Sequence, residues 1–167
     1  MQAHQRSLGD GRLHFQHGPM DIVLGAHGDG AAVQQAHAQA WERFHGLLQE
    51  LVDELPALRA PVEGVCTLHG AVARRMWAAA DVHRPAFVTP MVAVAGAVAQ
   101  ELLLAYDRPG ITRAWINNGG DIALHLTPGT SFRIGVFAQI ERPAQLHVAG
   151  GLQVDGRFEV AHGSGVR

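Results

Sequence analysis

Lysine is missing from this chain: all thirteen of its positively charged residues are arginine. A lysine Schiff base, a phosphate-loop lysine and any other lysine-dependent mechanism are thereby excluded. The bias toward arginine and alanine is also what a GC-rich genome produces. Cys66 is the only cysteine, which rules out an internal disulfide and a cysteine-based zinc site and fits a reducing compartment. Ser7, Ser131 and Ser164 are the only serines, and none lies in a Gly-x-Ser-x-Gly elbow, so a Ser/His/Asp triad is not legible. Long apolar runs are absent as well. The longest, residues 87–99, is broken by Thr89 and Pro90 and falls short of the roughly 20 residues a membrane span needs. The polar start of the chain has no signal-peptide pattern. With a net charge of −2, no basic field advertises nucleic acid or anionic lipid. A soluble, cytoplasmic protein is the expectation.

What is present is enough for one ordinary domain. The 167 residues are 47% hydrophobic and 17% charged, outside the disordered class. The first ten residues read as a loose tail. Segments 12–16 and 20–26, separated by His17-Gly18-Pro19, read as a β-hairpin. After Asp29-Gly30, the apolar residues Val33, Ala36, Ala40, Trp41, Phe44, Leu47, Leu48, Leu51, Val52 and Leu55 follow a 3.6 period, closed by Pro56 and Pro61. A second helix is expected over 71–80, with Val72, Met76, Trp77 and Ala80 inward and Arg74-Arg75 outward. A third is expected from Thr89-Pro90 to about Tyr106. Beyond Ile111 the runs 115–116, 122–126, 132–137, 146–148 and 158–160 are β-type, punctuated by glycine pairs and Pro-Gly or Asp-Gly turns. The expected fold is α+β and layered: an N-terminal hairpin, three helices and a mostly antiparallel C-terminal sheet.

Two segments carry candidate chemistry. Thr89 suits a helix N-cap and Pro90 the first helical position. The small apolar residues that follow read as a helix buried all round, with close backbone approach at Gly96. Its N-terminal N–H groups would form an anion site if the entrance is open, or simply be capped by Thr89. Asn117-Asn118-Gly119-Gly120-Asp121 lies between two strands. It reads either as a concave nest of N–H groups for a phosphate or as a hairpin turn. The eleven histidines do not assemble a metal site. His37 and His45 share a helix face but lie about 12 Å apart along its axis, and His14 and His17 fall on opposite strand faces. Asp81 with His83 reads as a solvated helix end. Cys66 has no basic neighbour in sequence and reads as inert packing.

Taken together, three stretches resemble an uncharacterised ApbE-like family, related to the FAD:protein FMN transferase once linked to thiamine biosynthesis. The first leads from Leu58-Arg59-Ala60-Pro61 into Val72-Ala73-Arg74-Arg75-Met76. The second, Phe87-Val88-Thr89-Pro90-Met91-Val92-Ala93-Val94-Ala95-Gly96, is similar to a Gly-Pro-Met-Ala-Ala-Val-Ala-Gly signature. The third, Trp115-Ile116-Asn117-Asn118-Gly119-Gly120-Asp121-Ile122, is similar to Glu-Asn-Gly-Gly-Asp-Ile. The resemblance implies a crevice between the Thr89 helix start and the Gly119-Gly120 turn. Thr89, Pro90, Met91, Val92, Asn118, Gly119, Gly120 and Asp121 would line it, binding FAD or FMN with Mg2+. No catalytic residue is assigned. It also implies that the chain stops at Gly163-Ser164-Gly165, where the family's Thr-Ser-Gly turn begins, and so lacks the final strands of a single domain. The transferases' aspartate and lysine have no counterpart in Val88-Thr89-Pro90-Met91-Val92-Ala93-Val94-Ala95. Two functions therefore stand side by side. One is a flavin- or nucleotide-diphosphate-binding protein related to the transferases, with a small molecule, and a second copy of the chain, as candidate partners. The other is a non-catalytic binding or scaffold protein.

Overall fold

The computed structural model describes residues 2–135 and 151–155. Five strands, β1 (His4–Ser7), β2 (Leu13–His17), β3 (Met20–Gly28), β4 (Ile111–Asn118) and β5 (Asp121–Leu126), pair antiparallel in that spatial order. A second sheet pairs β6 (Ser131–Gly135) with β7 (Gly151–Asp155). The helices are α1 (Gly30–Asp53), α2 (Leu55–Leu58), α3 (Ala71–Asp81) and α4 (Val94–Leu103). The fold is thus α+β with an N-terminal hairpin, as expected. No helix among the described residues is long and apolar enough to cross a membrane.

Alternation decides which sheet face is buried. Phe15 opposes Ile22, and Leu24 opposes Ile116, which opposes Ala123; all five are shielded from solvent. On this inner face lies α1, whose Ala36, Ala40, Phe44, Leu47 and Leu51 recur at helical spacing and are buried. Asp29 caps α1 by accepting the Ala32 N–H at 3.0 Å. Phe15 meets Trp41 edge-on at 5.0 Å and Phe44 at 5.4 Å between ring centroids. α4 packs beside α1 over β4 and β5. On the outer face, the Trp115 indole lies across Gly25, its partner in register, and Phe132 meets Trp115 edge-on at 5.5 Å.

Several expectations change. The N-terminal tail contains β1, which pairs with β2. Its four residues are all exposed, so it has no alternating burial to mark it. α1 ends at Asp53, and Pro56 sits at the start of the short α2 instead of breaking one continuous helix. The third helix is in three pieces: a 3-10 turn (Pro90–Ala93), α4, and a second 3-10 turn (Leu104–Tyr106). It is not buried all round, because Val92 and Leu104 are exposed. Arg75 does not point to solvent; it donates to the Ala97 carbonyl and to Glu101. β7 was not expected at its position, while the strand runs at 146–148 and 158–160 lie outside the described residues.

Candidate functional site

β4 and β5 are joined by Gly119 and Gly120 alone, with Asn118 paired to Asp121. Their φ angles of 62° and 110° place both in the region that right-twisted two-residue hairpins require and that glycine alone enters freely. The segment is therefore a hairpin turn, not a concave nest. The Gly120 N–H is already taken, donating to Asn117 Oδ1 at 2.9 Å. Nothing lies within 4 Å of a Cβ added at either glycine, so the turn stands open.

This turn meets the first turn of α4. Asn118, buried, donates from Nδ2 to the Ala95 carbonyl at 3.1 Å. Beside it, Asp121 Oδ2 lies 3.6 Å from where a Cβ on Gly96 would be. The close backbone approach expected at Gly96 is not seen: an added Cβ would make only an ordinary contact with Asp121. A carboxylate near a helix start is electrostatically favoured there, and Asp121 lies beside the first turn of α4, past the Thr89–Val92 segment where an external anion was expected.

The remaining predicted site residues occupy the 3-10 turn ahead of α4, packed against α3. Thr89 takes the expected N-cap position, extended, with Pro90 at the start of the turn, but its hydroxyl makes no capping bond; its carbonyl accepts the Val92 N–H at 3.2 Å. Pro90 is buried, Met91 packs half-buried against the core, and Val92 faces solvent. The structure therefore bonds Asn118 to Ala95 and sets Asp121 beside Gly96, while Thr89, Pro90, Met91 and Val92 lie in the turn that precedes α4. Ala95 lay within the motif without being singled out; its carbonyl is a backbone group that no side-chain pattern announces.

No group of three or more His, Cys, Asp or Glu side chains able to hold a metal ion occurs among the described residues. One carboxylate, Asp121, fits Mg2+ only in the manner typical of that ion, which takes one or two protein carboxylates and fills its octahedron with phosphate oxygens and water. Cavities of about 520 and 590 Å³ lie elsewhere, one across β1 to β3 and one beside α3 near Cys66, His69 and Arg74.

The fold and this juncture define a class: an α+β protein whose edge hairpin, β4–β5, is tied by an asparagine carboxamide to a helix start. A family model described as AbpE bacteria matches residues 3–167, and the chain belongs to that family. This corrects the resemblance read from the motifs. The family that matches carries a different name from the ApbE-like flavin transferases. The physical reason for the misreading is plain in the geometry: Gly-Gly-Asp serves a hairpin turn, and the small-residue run serves close helix packing. No curated protein matches the chain.

Proposed function

We propose that the chain is a binding module for a phosphate-bearing nucleotide, flavin nucleotides included, held with Mg2+ where the Gly119-Gly120 turn meets α4. The observation that carries this reading is the Asp121 carboxylate, set 3.6 Å from the Gly96 Cβ position beside an open glycine turn. A diphosphate brings the oxygens that complete a Mg2+ shell, and Asp121 contributes the one protein oxygen. The open turn lets phosphate oxygens approach the backbone without meeting a side chain. Pro90 and Met91 shape the neighbouring surface, and exposed Val92 offers an apolar contact to a ring.

Binding without catalysis is the form of this reading that the hydrogen bonds favour. Asn118 spends its carboxamide on Ala95 and Asn117 spends its oxygen on Gly120, so both serve the turn rather than a reacting group. The lone cysteine supports a reducing, cytoplasmic setting, and the net charge of −2 argues against nucleic acid as partner.

Calorimetric titration of FAD, FMN and ADP, each with and without Mg2+, tests the proposal. Saturable binding that requires Mg2+ and is lost in Asp121→Asn is expected. Gly120→Val should also abolish it, because a β-branched residue resists φ > 0. An intact, folded protein that binds none of the three overturns the reading.

A further inference from the structure

On the outer face of the sheet, away from α4, three strands place a linked set of polar side chains beside a cavity. Arg6 on β1, His14 on β2 and Asp21 on β3 form a hydrogen-bonded row. Arg6 Nε lies 3.1 Å from His14 Nδ1, and His14 Nε2 lies 2.9 Å from Asp21 Oδ1. His4 and Gln16, paired in register, flank the row, and Val23 lies opposite His14. These six residues line a cavity of about 520 Å³.

Hydrogen-bond chemistry fixes what each member does. An arginine nitrogen can only donate, so His14 Nδ1 must accept and cannot carry a proton. The ring proton then sits on Nε2 and points at Asp21, whose carboxylate can only accept. Asp21 selects the tautomer; the tautomer offers Arg6 an acceptor; the acceptor holds Arg6 by Nε. Both ring nitrogens are occupied, so His14 is a positioning residue and not a general base. Arg6 has no further hydrogen bond to a described residue, which leaves the Nη1/Nη2 edge of its fork available. That edge matches the two oxygens of a carboxylate or phosphate, the geometry in which arginine differs most from lysine.

We infer that this outer-face cavity is a binding site for a small ligand bearing an oxyanion, a carboxylate or phosphate group, received by the Arg6 fork that His14 and Asp21 hold in place. His4 and Gln16 add donors at its rim, and Val23 gives the body of the ligand an apolar contact. The site stands independently of the nucleotide reading: it shares no residue with the α4 juncture and lies on the opposite face.

The test is an NMR titration of the full chain with inorganic phosphate and, separately, acetate, with chloride as the ionic-strength control. Saturable shifts of the Arg6 Nε–H and His14 ring signals with either oxyanion, and none with chloride, are expected; the stronger of the two identifies the headgroup. Arg6→Lys should weaken the response about tenfold or more, since the ammonium lacks the fork. Asp21→Asn should lower the population of the Nε2–H tautomer of His14, read from its ring nitrogens, and weaken binding in parallel, which a merely structural role would not do. β1 is an exposed edge strand, so Arg6→Lys is expected to keep the wild-type circular dichroism. Absence of saturation with both oxyanions, equal shifts with chloride, or full retention of binding in Arg6→Lys overturns the inference. Failure of the nucleotide reading leaves these signals untouched.

Discussion

One added methyl group has different consequences at Gly25 and at Gly30. A Cβ on Gly25 would lie 3.0 Å or less from three atoms of the Trp115 indole, whereas one on Gly30 meets nothing within 4 Å. Gly25→Ala should therefore lower stability by about 1–3 kcal/mol, the usual consequence of overpacking. Gly30→Ala should be neutral or stabilise by about 0.4–1 kcal/mol by restricting the unfolded chain. Urea midpoints for the two variants check the contrast. Asp29 makes a similar point from the polar side. Its bond to the Ala32 N–H satisfies one orphan donor of α1, so Asp29→Ala should cost about 1 kcal/mol in the same assay. The Asp29 start of α1 is legible in sequence because its chemistry is local. The need for glycine at Gly25 is not legible, since its partner lies 90 residues away, across a strand register that only the fold sets.

Three helices meet at Glu101, and that meeting is where element-level reading from sequence fails. Arg43 on α1 holds Glu50 through Nη1 and Nη2 at 2.6 and 2.8 Å, and Glu101 through Nε at 2.8 Å. Arg75 on α3 reaches Glu101 at 3.1 Å. In sequence, Arg43 and Arg75 sit on polar helix faces and look solvated; in the fold those faces turn toward α4. Burial alone would raise the Glu101 carboxyl, yet hydrogen bonds and charge from Arg43 and Arg75 outweigh it and hold it below its usual range. Burial, meanwhile, lowers the imidazole of His37, which shares a 2.7 Å hydrogen bond with the buried Tyr106 hydroxyl; burial in turn raises that phenol.

The Glu101 and His37 shifts have the same sign for folding. A depressed carboxyl contributes stability that is complete above its unfolded value and lost as pH falls through its folded one. A depressed histidine binds its proton more readily when unfolded, so stability also falls as pH drops below the ordinary imidazole value of about 6.5. Urea midpoints should therefore decline from pH 7.5 to pH 5 and again toward pH 3. His37→Gln should flatten the first decline, and Glu101→Gln the second. At neutral pH, Glu101→Ala should cost less than the roughly 3–5 kcal/mol typical of fully buried pairs, because Arg43 and Arg75 are each about a third exposed and Arg43 keeps Glu50.

At the scale of the molecule, periodicity carried most of the architecture. The α1 stripe and the alternation in β3 and β4 each commit a face to the core, and those faces define the layers. β1 escaped because exposed residues have no face to commit. The three pieces of the third helix read as one because no glycine or proline stands at either end of α4, where the 3-10 turns Pro90–Ala93 and Leu104–Tyr106 adjoin it. The juncture was half legible. Glycine pairing marks a turn, but a hairpin and an anion nest share that mark, and the Asn118–Asp121 pairing, the two φ angles and the occupied Gly120 N–H separate them. The outer-face row was not legible at all, since Arg6, His14 and Asp21 are neighbours only through two strand registers.

In the function proposed above, the hairpin and the start of α4 together receive a nucleotide's phosphates. Backbone amide NMR of the full chain during titration with ADP and Mg2+ tests it most directly. Saturable shifts concentrated at Gly96, Gly119, Gly120 and Asp121, and absent in Asp121→Asn, are the predicted result. Shifts that spare these four residues, or that persist unchanged in Asp121→Asn, would contradict it.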